Sequence, residues 1–281
     1  MASINSFGII GGDKRQLYCG KSAAEDGYSI SVSGFEKCGT MMGLQNNDIK
    51  TTLDRADAII LPLPVSRDGM TLHAPLAEKT LPLDELFDII GDKPVFCGMK
   101  QKLPFQKDTI FDYSTREEFA VANAVPTSEG AIETAMLEYD GTINASECLV
   151  TGYGRIGRVL ADMLQGLGAD VTVSARSLKD LAFIRAKGLK AIETSALHGS
   201  YDIIFNTVPH LILDAHTLAR IAVNALVIDL ASMPGGVDFQ AAERLPVRAV
   251  HALSLPGKVA PKTSGIIIKN AVYNIIREEK L

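Results

Sequence analysis

The stretch Leu149-Val150-Thr151-Gly152-Tyr153-Gly154-Arg155-Ile156-Gly157 carries three glycines at the spacing Gly-x-Gly-x-x-Gly. An apolar run of strand character leads into it. Behind it, Ile156, Val159, Leu160, Met163, Leu164 and Leu167 fall on one helical stripe. Gly168-Ala169-Asp170 stops that helix, and Val171-Thr172-Val173 opens another strand. Strand, glycine turn, helix and strand in this order are the context in which the three glycines signal a dinucleotide. Gly152 makes the tight turn, Gly154 lets a pyrophosphate approach the backbone, and Gly157 lets helix and strand pack closely. The free N–H groups of the helix start offer the phosphates a partial positive charge, so Tyr153, Arg155 and Ile156 belong to the expected cradle.

Further short runs rich in Val and Ile extend the pattern outward. Phe7–Ile10, Ala58–Leu61 and Val95–Cys97 read as strands in the first half, and Cys148–Thr151, Val171–Ser174, Ile203–Asn206, Leu226–Leu230 and Ala249–Ala252 in the second. Apolar on both faces and separated by helical patterns, they predict parallel strands sandwiched by helices. The halves also resemble each other: Asp57–Pro64 parallels Asp202–Pro209, and Gly8–Gly12 parallels Val150–Gly154. The expectation is an α/β protein of two Rossmann-like, doubly wound domains with a cleft between them. The first covers 1–124, joined by a C-terminal helix over 264–281; the second, NADP-binding, covers 125–263. Proline at 126 pushes Val125 out of helical geometry, so Thr127 or Ser128 is expected to cap a new helix there, a natural hinge. That helix would bury Ile132, Ala135, Met136 and Tyr139.

About 20 residues past the glycines, where an acid would hold the ribose hydroxyls of NAD, the chain reads Ser174-Ala175-Arg176-Ser177. Arg176 suits a 2′-phosphate, with Ser174 and Ser177 as donors, so NADP is expected ahead of NAD. Ligands of open α/β sheets sit beyond the carboxyl ends of the strands. Those ends, Asn206-Thr207-Val208-Pro209, Asp229-Leu230-Ala231-Ser232-Met233-Pro234-Gly235-Gly236 and the stretch 255–263, read as three loops walling the cofactor, with Asp229, Leu230 and Ala231 as contacts. In the first domain, Gly11-Gly12-Asp13-Lys14-Arg15 sets another glycine turn before a helix, where free N–H groups and Arg15 suit a substrate carboxylate. Arg67, in the loop after the parallel strand, would face the same way.

Composition narrows the classes. The 281 residues hold 28 Lys and Arg against 33 Asp and Glu, a net charge of −5 with no basic cluster, so nucleic acid or an anionic membrane is not an expected partner. Apolar residues at 47% and charged residues at 22% exclude a disordered tail or a coiled coil. Nothing reaches the ~18 apolar residues needed to span a bilayer. Met1–Gly8 contains no basic residue, so no secretory signal is read there and the cytoplasm is expected. Cys19, Cys38, Cys97 and Cys148 are scattered, with no ligand spacing for a metal.

Taken together, Gly11-Gly12-Asp13-x-Arg15-Gln16, Pro126-Thr127-x-Glu129-Gly130, the Gly152 motif, Ala175-Arg176-Ser177, Asn206-Thr207-x-Pro209, Asp229-Leu230-Ala231-Ser232-x-Pro234-Gly235-Gly236 and Leu255-Pro256-Gly257-x-Val259-Ala260-Pro261-Lys262-Thr263-x-Gly265 resemble the dipicolinate synthase A-subunit family over nearly the whole chain. The resemblance implies an enzyme of the mother-cell cytoplasm of a sporulating bacterium, working with a flavoprotein-like B-subunit. It would oxidise dihydrodipicolinate or its hydrated form to pyridine-2,6-dicarboxylate, and a homo-oligomer is expected. The architecture is also similar to D-2-hydroxyacid dehydrogenases. Those use a base on a hydroxyl and an Arg after the strand corresponding to Leu226–Leu230, where this chain has Ser232-Met233-Pro234, so their reaction is disfavoured. For a dianionic substrate, Arg15 and Lys262 are the expected cationic partners, with Thr127, Ser232 and Thr263 as hydroxyl donors. His210 and His251 are candidates to assist proton loss, although each reads first as a bystander. Two other readings stay open: a dinucleotide-sensing or scaffolding protein whose partner carries the chemistry, and a reductase of another small carboxylate.

Overall fold

The computed structural model describes residues 4–39 and 42–281; Met1–Ser3, part of the stretch inspected for a signal, lie outside them. The chain divides into two compact units, 1–123 with 260–281, and 124–259.

In the first unit, strands β1 (Ser6–Ile10), β2 (Ser29–Ser33), β3 (Ala58–Ile60), β4 (Val95–Cys97) and β5 (Ile110–Asp112) form a parallel sheet of order β2-β1-β3-β4-β5. Helices α1 (Lys14–Glu25), α2 (Ile49–Asp54) and α3 (Leu83–Ile90) connect them, and the last helix, α10 (Pro261–Glu279), returns to the unit. Neighbouring strand residues feed opposite cores. Phe7 and Ile9 join Leu17, Ile268 and Val272, whereas Ile10 and Ile59 join Leu83, Leu86 and Phe87. Burial on both faces explains why these strands read as unbroken apolar runs. Lys269 of α10, itself buried, reaches Asp26 at the end of α1 at 2.5 Å.

In the second unit, β6 (Glu147–Thr151), β7 (Asp170–Ala175), β8 (Lys190–Glu193), β9 (Ile203–Asn206), β10 (Leu226–Asp229) and β11 (Arg248–His251) form a parallel sheet of order β11-β10-β9-β6-β7-β8. Counted from β6 this is the Rossmann order 3-2-1-4-5-6. Helices α5 (Arg155–Gly166), α6 (Leu178–Ala186), α7 (Ala215–Ile221), α8 (Phe239–Ala242) and α9 (Leu255–Val259) complete it. Cys148 and Val150 pack with Leu160 and Leu164, and the intervening Leu149 packs with Ile204, Leu218 and Val227.

The internal likeness has a structural counterpart. Asp57, just before β3, accepts from the backbone of Asn5 and Ser6 at 2.9 and 3.0 Å, tying that strand to the start of β1. Asp202, just before β9, accepts from the backbone of Glu147 at 2.8 Å and ties it to the start of β6.

Three local expectations need correction. Pro126 does not break the chain: one helix, α4, runs from Glu117 to Glu138 with the proline inside it. Its missing N–H and ring crowding cost helix stability, yet Phe119 on one side of the proline and Ala131 and Ala135 on the other are buried in cores and hold both arms. Thr127 and Ser128 therefore lie mid-helix rather than capping it. On the same helix Met136 is 59% exposed, because Ala135, Ile132 and Tyr139 already fill the core side. The stretch 255–263 is not a loop. It forms α9 and, with Pro261 in its first turn, the start of α10, which puts Lys262 and Thr263 in the first unit.

Candidate dinucleotide site

Beyond the carboxyl ends of β6, β7 and β9 the second unit opens a groove of about 880 Å³, lined by Gly152, Tyr153, Gly154, Arg158, Arg176, Ser177, Asp180, Thr194, Thr207, Val208, Pro209 and His210, among others. It sits at the point where the strand order reverses, between β6 and β9, which is where ligands of such sheets bind.

The three glycines have different reasons to be there. Gly152 has φ +89°, a backbone that side chains rarely adopt, and its N–H donates to the Ser174 carbonyl at 2.9 Å. A Cβ on Gly157 would run into the Gly152 carbonyl oxygen, so this glycine permits the close approach of α5 to the turn. Gly154 needs neither: its φ is −81°, and a Cβ there would meet nothing within 4 Å. It stands exposed at the N-cap of α5, opening room beside the first turn of that helix, and that room fits a pyrophosphate.

At the outer end, Arg176 and Ser177 are exposed, and Arg176 has no ion pair among the described residues. Ser177 caps α6 by accepting from the backbone of Asp180 at 3.4 Å. Arg158, Asp180, Thr194 and Ile212, not anticipated from sequence, also line the groove. Arg158 donates to the Tyr153 carbonyl at 3.0 Å, lies 4.9 Å from the centre of the Tyr153 ring, and pairs with Asp180 at 3.2 Å. Its place one position past Gly157 was a usable signal; that of Asp180 depends on the geometry of α6.

Several expected contacts turn out to be framework. Ser174 is fully buried in β7 and accepts from Thr194 at 3.3 Å, so its hydroxyl is not offered to the groove. Asn206 and Asp229 are fully buried as well. Thr151 donates to Asn206 at 2.6 Å, and Asn206 donates to Asp229 at 2.7 Å. The Asp229 carboxylate also accepts from the backbone of Ala231 and Gly236, both at 3.1 Å. A buried carboxylate needs such donors, and here they come from within the chain, so the network shapes the strand ends. Leu230 and Ala231 are buried beside it, and Arg155, Ile156 and Gly157 are not part of the lining. Thr207, whose hydroxyl donates to the Thr151 carbonyl at 2.7 Å, Val208 and Pro209 do form the wall.

The five residues expected to meet the substrate are divided between the units: Arg15, Lys262 and Thr263 in the first, Thr127 and Ser232 in the second. Thr127 is buried within α4, while Ser232, Lys262 and Thr263 are exposed. Arg15 is not a free cation. Asp13 receives its guanidinium, and the N–H groups of the turn are used internally: Gly11 donates to Ser33, Gly12 to His73 and Asp13 to Gln16. An anion cradle built from those N–H groups is therefore absent.

This geometry has counterparts among known proteins. The N-terminal domain of the dipicolinate synthase A-subunit matches residues 6–106, and the NAD binding domain of D-isomer specific 2-hydroxyacid dehydrogenases matches residues 121–234. The dipicolinate synthase A-subunit of Bacillus subtilis (strain 168) is 33% identical over 96% of this chain and 95% of its own length. This chain belongs to the dipicolinate synthase A-subunit family. A crystal structure of the family member from Bacillus halodurans superposes with a TM-score of 0.85 at 31% identity, covering 97% of both chains. That of the Bacillus subtilis protein superposes at 0.83 and 30%, covering 100% of this chain and 98% of the other. A transhydrogenase from Sinorhizobium meliloti, 14% identical with a TM-score of 0.67 over 97% of this chain and 92% of its own, shares the fold. The second unit is thus the nicotinamide-dinucleotide domain of a member of this family. Among the described residues no helix is long and apolar enough to cross a membrane.

Proposed function

We propose that this chain is the NADP-dependent component of a dipicolinate-forming dehydrogenase, acting on dihydrodipicolinate or its hydrated precursor together with the B-subunit. The observation that carries the reading is the open space at Gly154, in a groove whose far end presents the Ser177 hydroxyl and Arg176, which has no ion pair among the described residues. Arg176 suits a 2′-phosphate, which a carboxylate would repel. Asp180 lies in the same groove, but Arg158 neutralises it. The bound nicotinamide would supply the hydride acceptor. Dihydrodipicolinate loses a hydride to the nicotinamide and a proton to become an aromatic pyridine, and the hydrated precursor loses one water as well, so the chain has no alkoxide to oxidise. Lys262 and Thr263 stand exposed on the first turn of α10 in the first unit, and Ser232 stands exposed after β10 in the second.

The test is an absorbance assay for NADPH and pyridine-2,6-dicarboxylate. It uses the purified chain, NADP, and precursor generated in situ by dihydrodipicolinate synthase, with and without the B-subunit. Turnover is expected in at least one arm and is lost in Gly154→Val, which should fold normally but exclude the cofactor. Tight NADP binding without turnover in either arm would favour a sensing role.

A further inference from the structure

The first unit has its own reversal of strand order. In the order β2-β1-β3-β4-β5 the connections from β1 and β3 leave in opposite directions, and ligands of such sheets bind at that β1/β3 point. A pocket of about 320 Å³ is formed by the segments that follow β2 and β3. Its lining includes Lys37, which follows β2, and Arg67, His73 and Lys79, which follow β3.

The segment that carries most of these residues is built, not loose. Ser66 is fully buried, and its hydroxyl donates to the Thr71 carbonyl at 2.6 Å and accepts from Gly69 at 2.9 Å. Asp68, itself exposed, accepts from the backbones of Met70 and Thr71 at 2.9 and 2.8 Å and from the Thr71 hydroxyl at 2.7 Å. Those donors hold its carboxyl far below the usual range, so it stays an anion bonded within the loop. The loop is fastened at two further points: Gly12 donates to the His73 carbonyl at 2.9 Å, and Lys37 donates to the Leu76 carbonyl at 2.9 Å. Arg15 supports the same frame by donating to the Leu63 carbonyl at 2.6 Å.

The charges left facing the pocket are unbalanced. Lys37, Arg67 and Lys79 carry no ion pair among the described residues, and Glu78 is the one carboxylate in the lining. His73 is half-buried; burial and then the charge of Arg67 hold its imidazole below its ordinary pKa, so at neutral pH it offers a neutral ring nitrogen. Two net positive charges, a planar guanidinium fork and a neutral donor suit a small dianion with two carboxylates.

We infer that this pocket binds a small dicarboxylate, with Arg67 and Lys79 as carboxylate partners and the Asp13–Arg15 pair as the frame that positions them. The ligand class rests on the dipicolinate reading above. The probe is pyridine-2,6-dicarboxylate, titrated calorimetrically into the full chain at saturating NADP. The wild type should bind it at least tenfold more tightly than pyridine-2-carboxylate. Arg67→Ala and Lys79→Ala, both at exposed positions, should each weaken it by tenfold or more. Equal affinity in wild type and the Arg67→Ala/Lys79→Ala double variant would overturn the assignment, and so would no binding at all. The two readings fail differently. If NADP-dependent turnover is absent while Arg67-dependent binding persists, the reaction is wrong and the pocket stands. If turnover persists with KM unchanged in the double variant, the pocket is wrong and the reaction stands.

Discussion

Asp13 grips Arg15 two positions along the chain: its carboxylate accepts from Nε at 2.9 Å and from Nη2 at 2.8 Å, while Nη2 also donates to the Leu63 carbonyl at 2.6 Å. The same Asp13 caps α1 through the backbone N–H of Arg15 at 2.9 Å. The arginine thus fastens the exit of β1 to that of β3, with its side chain only 9% exposed. Arg15→Ala should lower stability by about 1.5–3 kcal/mol, the range for hydrogen bonds to charged groups, and leave NADP affinity intact. Chemical unfolding and cofactor titration check both parts. Unchanged stability would mean that the clamp contributes nothing.

Gly154 and Gly157 stand three residues apart and should fail in opposite ways. Gly157→Ala forces a methyl against the Gly152 carbonyl oxygen and should destabilise by roughly 1–3 kcal/mol, as overpacking does. Gly154→Ala, entering open space, should unfold at the wild-type denaturant concentration yet bind NADP more weakly. Equal stability losses in the two variants would remove the argument that Gly154 is reserved for a ligand.

Arg176→Glu tests the cofactor preference. Replacing an unpaired cation by an anion should weaken NADP about 10- to 100-fold, the scale of a charge-assisted hydrogen bond, and spare or improve NAD. Fluorescence titration with NADPH and NADH compares them directly. A preference that does not move would take Arg176 out of the 2′-phosphate site.

The parts of the fold that could be read in advance share a physical cause. Central strands such as Ile203–Asn206 are buried on both faces and appear as apolar runs. The strands that escaped notice, Ser29–Ser33, Ile110–Asp112 and Lys190–Glu193, all lie at sheet edges, where one side faces solvent and polar residues are tolerated. In the site, glycine spacing carries its meaning in the backbone and so survives into structure. A side chain's role depends on who reaches it first. Asp229 looks like a cofactor contact until Asn206, 23 residues away, is found holding it. Arg15 looks like a free cation until Asp13 is found beside it. Pro126 illustrates the same limit, since burial on both of its sides overrules a local preference.

The Asp57 staple predicts a pH dependence. Donation from the Ser6 side chain, then from the backbone of Asn5, holds its carboxyl below the usual value in the folded chain. The unfolded value is about 3.9. A depressed folded pKa means that the stabilisation is complete above the unfolded value and is lost as pH falls through the folded one. The stability gap between wild type and Asp57→Ala should therefore be widest near neutrality and close in acid. Urea midpoints at neutral pH and in strong acid measure it. A gap that stays constant would show that the charge on Asp57 is not what ties β3 to β1.

The crossing of α10 over α1 rests on one glycine. A Cβ on Gly265 would meet the Arg15 carbonyl oxygen, the Tyr18 Cβ at 2.7 Å and the Cys19 backbone nitrogen at 2.8 Å. Two of these three are backbone atoms, which do not turn aside as a side-chain tip would. Gly265→Ala should therefore push the helices apart and destabilise the first unit by about 1–3 kcal/mol, with a lower midpoint in denaturant. The same shift would disturb Arg15 and, through Leu63, the loop that carries Arg67. Pyridine-2,6-dicarboxylate binding should weaken in this variant while NADP binding in the second unit holds. Simultaneous loss of both would mean that the change unfolds the chain rather than displacing one helix.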